Sequence, residues 1–174
     1  HSVDVTYFAR NVKNAISSEV INFTTYASRA VNLEGKSKVK GVEVAYNGKI
    51  TDALTAYANY TYTQTRDSKG AELARRPKHL ANAGLAYQIT EKLGADVNVA
   101  YTGKRMDTYY SPTYSTHKVK LPSYTLANVG VNYKVAESLT VYANLNNVFN
   151  KKYENVLGYG QDGRHVYVGL RGSF

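Results

Sequence analysis

The sequence contains no cysteine and no tryptophan, and it has only three prolines and one methionine. Without cysteine the chain cannot form disulfides, hold a metal through thiolates or use a cysteine nucleophile. No run approaches the roughly 18 consecutive apolar residues of a transmembrane helix. The four histidines (His1, His79, His117 and His165) lack the spacing with carboxylates that a metal site requires. We therefore expect no metal site and no cofactor.

Signatures of catalysis and of nucleic-acid binding are missing as well. Serine, histidine and aspartate occur without a nucleophile elbow or a triad pattern. Gly158, Gly160 and Gly163 have the spacing of a dinucleotide fingerprint, but the pattern after them predicts a strand and not the helix that such a site needs. No recognition helix and no basic–aromatic platform for RNA is present. We expect neither an enzyme nor a nucleic-acid-binding protein.

Tyrosine is abundant instead, with 17 residues against four phenylalanines in a chain of 174 residues, a length typical of one domain. Apolar and polar residues alternate in long runs; Val129, Val131, Tyr133 and Val135, for example, are separated by polar or small residues. Such runs of about ten residues exceed the roughly five or six of soluble strands and match membrane-spanning strands of about 9–11 residues. The pattern predicts an all-β chain of antiparallel transmembrane β-barrel strands, with an ordinary β-sandwich as the alternative.

Short and long joints alternate along the chain. The short ones are acidic turns at 51–54, 90–93 and 136–139, and the long ones are polar connections at 66–78, 103–120 and 150–164. Outer-membrane barrels alternate tight periplasmic turns with long extracellular loops in this way. On this basis the outer aromatic girdle is predicted to contain Tyr60, Tyr62 and Tyr101, and the inner girdle Tyr87 and Tyr133.

Nine strands are predicted, an odd number. They cover 2–10, 18–30, 37–48, 53–66, 76–89, 92–105, 120–135, 138–149 and 164–174. Bacterial single-chain barrels close with an even number of antiparallel strands, so either one predicted strand is wrong or the chain is the C-terminal part of a larger barrel. We favour the second explanation. In the alternative, a stand-alone closed barrel of about eight strands with a structural or adhesive role, Tyr57, Tyr142 and Tyr167 would pack the interior.

The net charge of +9 is concentrated in the predicted extracellular segments and at their edges. The basic residues there are Lys36, Lys38, Lys40, Arg66, Lys69, Arg75, Arg76, Lys78, Lys104, Arg105, Lys118, Lys120, Lys151, Lys152 and Arg164. Cations beside an outer leaflet of lipopolysaccharide are expected to contact its phosphates. A solvated rim without a specific partner is the alternative.

Four segments resemble motifs of TonB-dependent outer-membrane receptors. Residues 35–43 (GKSKVKGVE) resemble their GKxxxKGVE strand, and residues 73–79 (LARRPKH) resemble their RRP segment. Residues 144–153 (NLNNVFNKKY) match their NLxNxFxKxY hallmark, and residues 158–164 with the strand to Phe174 match their C-terminus. The resemblance covers essentially the whole chain. It implies the C-terminal part of a barrel of about 22 strands that serves active uptake of a large, scarce nutrient.

Within this family the sequence is most similar to the cobalamin (vitamin B12) receptors. The similarity lies in residues 101–110 (YTGKRMDTYY) and 153–159 (YENVLGY). It implies that Arg75, Tyr110 and Tyr159 contact the substrate. Receptors for siderophores or haem share much of this framework and are the alternative; in a haem receptor His117 would be the candidate axial ligand.

The resemblance also implies partners. Val168, Leu170 and Phe174 share one face of the last strand and resemble the sorting signal that the outer-membrane assembly machinery reads. Residues 1–174 are expected to be barrel only, without a plug domain, so that contact with TonB depends on a plug outside this chain. The remainder of the receptor, or other copies of the chain, would then complete an integral barrel in the bacterial outer membrane, surrounded by its lipid.

Overall fold

The computed structural model describes residues 1–32, 34–110 and 115–173. In this part of the chain the regular structure is entirely β-strand, and no helix is long and apolar enough to cross a membrane. The described strands are β1 (Ser2–Lys13), β2 (Ile16–Asn22), β3 (Ala27–Asn32), β4 (Lys36–Lys49), β5 (Leu54–Arg66), β6 (His79–Gln88), β7 (Leu93–Thr102), β8 (Arg105–Tyr110), β9 (Thr116–Leu121), β10 (Tyr124–Ala136), β11 (Leu139–Asn146), β12 (Glu154–Val156), β13 (Tyr159–Gly160) and β14 (His165–Gly172). The predicted all-β fold class is confirmed.

Eight long strands form one antiparallel sheet in the order β1-β4-β5-β6-β7-β10-β11-β14. Within the described residues β1 and β14 do not pair with each other, so each is an open edge. An edge strand presents unpaired N–H and C=O groups that a further strand can bind. The open sheet fits part of a larger barrel and differs from the closed eight-stranded alternative.

The predicted strand at 18–30 is wrong. This segment is a separate hairpin of β2 and β3, whose turn follows Asn22. The Asn22 side-chain oxygen accepts hydrogen bonds from the backbone N–H groups of Thr24, at 2.8 Å, and Thr25, at 3.0 Å, and Tyr26 has a φ of 54°. An asparagine that bonds to the backbone two residues on starts a turn even in a β-favouring sequence. The odd strand count came from this segment, because the other eight predicted strands are those of the sheet.

The two ends of the sheet differ in their connections. At one end, here called the turn end, Thr51 and Thr90 each start a tight turn and accept, at 3.0 Å, the backbone N–H of the residue three positions on. The third short turn joins Ala136 and Leu139. The other end, here called the loop end, carries the connections 14–35, 67–78, 103–123 and 147–164. The first of these was not predicted, and two of the others contain the small hairpins β8–β9 and β12–β13.

The two faces of the sheet differ in polarity. One face, here called the outer face, presents exposed Val5, Val97, Val131 and Leu170, and is apolar along most of each strand. The inner face carries asparagines together with tyrosines that lie over glycines of neighbouring strands; a Cβ on Gly84 would meet the Tyr57 ring at 2.5 Å. An aromatic ring placed over a strand glycine fills the space that a side chain would take. The predicted alternation is therefore confirmed.

The predicted girdle tyrosines lie on the outer face. Tyr60 and Tyr101 both flank Ala81 near the loop end, and Tyr62 follows next to His79. Tyr87 and Tyr133 lie near the turn end, beside Leu54 and Leu93 respectively. This arrangement gives two belts of amphipathic rings on either side of an apolar band, as in outer-membrane barrels.

Candidate functional site

Three of the four connections at the loop end are joined by a single carboxylate, that of Asp107 in β8. Its Oδ1 accepts the Arg75 Nε at 2.9 Å and the N–H of Thr108 at 2.8 Å, and its Oδ2 accepts the N–H of Leu157 at 2.8 Å. Arg75 belongs to connection 67–78 and Leu157 to connection 147–164. The Asp107 side chain is fully buried. We call Asp107 with these three partners the rim node.

The electrostatics of the rim node favour an ionised carboxylate. Burial by itself raises the pKa of Asp107, but the N–H of Leu157, the Arg75 guanidinium and the N–H of Thr108 together outweigh it, so the pKa lies below its ordinary value. Hydrogen bonds and a cation that stabilise the charged form lower a carboxyl pKa. The node is therefore intact over the physiological pH range.

The backbone of Arg75 is held in an unusual conformation. Its φ is 60°, in the left-handed region that non-glycine residues rarely adopt. Its N–H donates to the Met106 carbonyl at 2.7 Å, so backbone and side chain both bind to β8. Such conformations persist only where surrounding contacts impose them. The side chain nevertheless remains 54% exposed, which leaves part of it accessible to a ligand.

Arg105, in β8, joins connection 147–164 to connection 103–123 at a second position. This guanidinium is buried, with its Nε 3.2 Å from the Asn155 carbonyl, Nη1 3.3 Å from the Pro122 carbonyl and Nη2 bonded to the Glu154 carbonyl. Its Cζ lies 5.3 Å from the centre of the Tyr124 ring. A buried arginine is stable only where its donors are satisfied. Arg105 therefore has a positioning role.

The NLNNVFNKKY segment anchors the same connection where it leaves β11. Asn147 is buried with a φ of 49°; its Nδ2 donates to the Lys151 carbonyl at 2.9 Å and its Oδ1 accepts the Lys151 N–H at 2.8 Å. The Asn150 side-chain oxygen accepts the N–H of Arg164 at 2.9 Å. Asparagine tolerates this backbone conformation better than other non-glycine residues. Asn147 thus fixes the start of the connection, and Asn150 bonds its start to its end at Arg164.

An amide ladder on the inner face connects this anchor to the sheet. The Asn147 N–H donates to Asn128 Oδ1 at 2.9 Å, Asn128 Nδ2 donates to Asn98 Oδ1 at 3.3 Å, and Asn98 Nδ2 is bonded to Asn82 Oδ1 and, at 2.8 Å, to the Tyr57 hydroxyl. The ladder crosses β10, β7 and β6. The ladder therefore gives the inner face of the sheet a polar, hydrogen-bonded surface.

A cavity of about 600 Å³ lies between connection 147–164 and the start of β10. Its lining includes Tyr124, Lys151, Tyr153, Glu154 and Gln161. The Tyr124 and Tyr153 rings are 4.5 Å apart, and burial, with the neighbouring Tyr124 and Asp162, raises the pKa of Tyr153. The volume falls in the range of about 300–1,000 Å³ of small-molecule sites. The loop end therefore has room for part of a ligand.

The predicted substrate contacts all belong to the loop end. Arg75 is in the rim node, and Tyr159 is 69% exposed in β13, two residues beyond Leu157. The backbone of Tyr110 pairs with Thr116 at the end of β8, while its side chain lies outside the described part of the structure. The hairpins β8–β9 and β12–β13 thus bring the neighbourhoods of Arg75 and Tyr159 together. Their contact with a substrate stays a prediction.

The other predicted residues lie apart from the rim node. Val168 and Leu170 are about 70% exposed on the outer face of β14 (71% and 69%), whereas Phe174 lies outside the described residues. His117 is exposed in β9, with its ring 6.4 Å from that of Tyr109. Among the described residues no group of three or more histidine, aspartate or glutamate side chains is placed to hold a metal ion.

Sequence reasoning missed the positioning residues Arg105 and Asp107. Asp107 is 32 residues from Arg75 and 50 residues from Leu157, and Arg105 is 50 residues from Asn155. No local pattern reports partners so far apart in the chain. The available signal was that both residues fall in the segment that resembles the cobalamin receptors.

Comparison with known proteins identifies the family. The open sheet and its loop end define part of an outer-membrane β-barrel whose long connections are bonded to one another. The family model described as TonB dependent receptor-like, beta-barrel matches residues 1–148. The chain belongs to this family of transporters, and it is an integral part of the bacterial outer membrane.

Two curated relatives come from Vibrio cholerae serotype O1. The iron-regulated outer membrane virulence protein is 32% identical over 149 residues, which are 83% of this chain and 22% of that protein. The vitamin B12 transporter BtuB is 29% identical over 160 residues, 90% of this chain and 25% of that protein. The chain thus spans about a quarter of the length of these relatives.

A solved structure shows the same fold at higher coverage. The ferric enterobactin receptor of Pseudomonas aeruginosa superposes with a TM-score of 0.79 at 26% identity, covering 99% of this chain and 29% of that one. The match extends over essentially the whole open sheet described above.

Proposed function

We propose that this chain is the C-terminal barrel part of a TonB-dependent outer-membrane transporter that takes up cobalamin, with the loop end facing the cell exterior. One observation supports the choice of substrate. The two segments similar to cobalamin receptors, 101–110 and 153–159, are bonded to each other, through Arg105 to the Glu154 and Asn155 carbonyls and through Asp107 to the Leu157 N–H. The two segments that resemble cobalamin receptors are therefore also segments that contact each other.

In this proposal Arg75, Tyr110 and Tyr159 contact the substrate. The Asp107 carboxylate holds the Arg75 side chain in place, and about half of that side chain remains exposed. An exposed tyrosine offers an apolar ring and a hydroxyl donor to a large ligand with mixed polarity. Preorganised side chains of this kind lower the entropy lost on binding.

The proposal is tested by producing the complete receptor in cells that lack their own cobalamin receptor and measuring uptake. We expect uptake of radiolabelled cyanocobalamin by the wild type, and at least a tenfold loss, about 1.4 kcal/mol, when Arg75, Tyr110 and Tyr159 are all replaced by alanine. Lys49→Ala, at the exposed turn end, is the control and is expected to be neutral. Absence of uptake by the wild type would reject cobalamin, and unchanged uptake by the triple variant would reject the three contacts.

A second candidate is uptake of a ferric chelate, as in siderophore or haem receptors. The 32% identity to an iron-regulated relative favours it, and so do Lys151 and Lys152 beside the 600 Å³ cavity, because cations attract anionic chelates. The same cells supplied with a ferric siderophore or with haem distinguish the candidates. Growth on iron without cobalamin uptake would favour the second.

The chain would work together with the other parts of the whole receptor. The open edges β1 and β14 bind the remaining barrel strands, and a plug domain supplied by the rest of the receptor fills the lumen against the polar inner face. TonB acts through that plug. The apolar outer face of β14, with Val168 and Leu170, is read during assembly together with Phe174. No step of this function requires catalysis.

A further inference from the structure

Two tyrosines of the inner face lie over glycines of the next strand in the sheet. Tyr57 of β5 is paired with Gly84 of β6, and Tyr142 of β11 is paired with Gly169 of β14. A Cβ added to either glycine would meet the Cζ atom of the facing tyrosine at 2.5 Å. The Tyr57 ring crosses the full width of β6, because its hydroxyl accepts a hydrogen bond from Asn98 of β7 at 2.8 Å. Each ring therefore requires a residue without a side chain opposite it.

The same relation is found at the first strand of the sheet. Phe8 of β1 is paired with Gly41 of β4, and a Cβ on Gly41 would meet the Cζ atom of the Phe8 ring at 2.5 Å. Phe8, Tyr57 and Tyr142 are all half-buried. An aromatic ring over a strand glycine fills the space that a side chain would take. In all three pairs the glycine belongs to the strand that follows the aromatic residue in the order of the sheet.

An asparagine lies on the opposite side of each tyrosine. Asn47 of β4 is paired with Tyr57, and Asn132 of β10 is paired with Tyr142. The Asn132 side chain is directed away from the tyrosine and lies over Gly94 of β7, where a Cβ would meet its Nδ2 at 2.9 Å. Three neighbouring strands thus carry asparagine, tyrosine and glycine side by side, and among the described strands this row occurs twice.

Tyr167 of β14 has the first two members of such a row. Asn144 of β11 is paired with it, and the Asn144 Oδ1 lies over Gly130 of β10, 2.8 Å from where a Cβ would be. The third position belongs to whichever strand binds to the open edge of β14. Tyr167 is 58% exposed, whereas Tyr57 and Tyr142 are half-buried. The edge of β14 therefore presents an uncovered ring to the strand that binds there.

We propose that the strand bound to the edge of β14 carries a glycine directly opposite Tyr167, and that the Tyr167 ring lies over this glycine. The inference rests on the proposal that β14 joins the remaining barrel strands. It also selects the partner, because β1 (Ser2–Lys13), the open edge that a second copy of this chain would offer, contains no glycine. The partner is a strand from the rest of the receptor. A shift of the pairing would move the glycine away from the ring, so this contact fixes the register.

Disulfide mapping locates the residue opposite Tyr167 in the complete receptor, once any cysteine elsewhere in it is replaced by serine. Val166→Cys and Val168→Cys are each combined with single cysteines along the barrel strands of the rest of the receptor, and the cells are treated with copper phenanthroline. Paired residues of antiparallel strands have Cα atoms about 4.5–5.5 Å apart, within the range of disulfides. Val166→Cys/Leu145→Cys, a pair within this chain, is the positive control.

The positions that react with the two cysteines flank one residue, and we expect that residue to be glycine. A residue with a side chain at this position would overturn the proposal. So would cross-links between β14 and β1 of a second copy, or the absence of any cross-link to β14 while the control pair reacts. The mapping needs no substrate, so its failure is distinct from a failure of cobalamin uptake.

A double-mutant cycle tests whether the ring is the reason for the glycine. Valine in place of the partner glycine is expected to lower the temperature of heat-modifiable unfolding about as much as Gly169→Val does. Adding Tyr167→Ala is expected to remove most of that loss, as Tyr142→Ala is expected to do for Gly169→Val. Alanine in place of the partner glycine gives the same comparison if the valine variant does not fold. An equal loss with and without Tyr167→Ala would overturn the proposal.

Discussion

Replacing Asp107 with asparagine is expected to release the connections of the loop end from one another while leaving the sheet intact. Among the described residues, the carboxylate accepts three hydrogen bonds, from Arg75 Nε and from the N–H groups of Thr108 and Leu157. Asparagine keeps one acceptor oxygen but presents an NH₂ group to at least one of these donors. It also removes the charge that pairs with Arg75.

The size of the effect follows from these contacts. A hydrogen bond to a charged group contributes about 1.5–3 kcal/mol, and breaking a buried ion pair costs about 3–5 kcal/mol. Because the Arg75 side chain is 54% exposed, solvent screening reduces the ion-pair part. We therefore expect a loss of about 2–4 kcal/mol in the local stability of the rim node.

Hydrogen–deuterium exchange of the complete receptor measures this loss directly. The Leu157 amide is expected to exchange about 30- to 700-fold faster in Asp107→Asn, the equivalent of that energy. The amides of β6 and β7 are expected to exchange as before, because their bonds are within the sheet. Asp52→Asn, which removes a carboxylate from the exposed turn end, is the matched control. Unchanged exchange at Leu157 in a folded Asp107→Asn receptor would refute the role assigned to the node.

Three other perturbations have defined outcomes. Gly84→Val is expected to lower the temperature of heat-modifiable unfolding, because a Cβ at this position meets the Tyr57 ring at 2.5 Å. Gly160→Ala, where a Cβ meets nothing within 4 Å, is expected to leave that temperature unchanged. Equal unfolding temperatures of the two variants would contradict this packing. Asn147→Ala is expected to lower the local stability of connection 147–164 by about 1–3 kcal/mol, because the hydrogen bonds of the Asn147 side-chain amide are lost. The loss would be seen as faster proteolysis of this connection. Resistance equal to that of the wild type would argue against the anchor. Because the pKa of Asp107 is lowered on folding, its stabilising effect is fully present above the ordinary carboxyl pKa, about 4, and is lost as the pH falls further. Exchange rates corrected for intrinsic pH dependence should therefore be flat from neutral pH to about 5, and a transition near pH 6 would contradict the assignment.

The periodic part of the fold could be predicted from the sequence. Strands such as β10 and β11 are half lipid-facing, so every second residue must be apolar and the pattern is visible without knowing the neighbours. The segment from 18 to 30 was wrong for the opposite reason. Its residues favour β-structure on both sides of the turn, and only the side chain of Asn22 marks the break.

The candidate site was predictable only in part. Similarity to a family indicated Arg75 and Tyr159 as substrate contacts, because each lies in a short segment that can be aligned residue by residue with a family motif. The node that connects them could not be deduced, since Asp107 meets Arg75 and Leu157 only in the folded protein, once the hairpins β8–β9 and β12–β13 have formed. Contacts across such distances depend on tertiary structure and leave no periodic trace.

The loop end of this outer-membrane barrel is expected to face the cell exterior, where a substrate can reach it. This chain has no cysteine. Once any cysteine elsewhere in the receptor is replaced by serine, single cysteines introduced at Gly160 and at Ser138 report the two ends separately. The measurement is labelling of intact cells with a membrane-impermeant maleimide. We expect Gly160→Cys to react in intact cells and Ser138→Cys to react only after the outer membrane is opened. Labelling of Ser138→Cys and protection of Gly160→Cys in intact cells would show the opposite orientation.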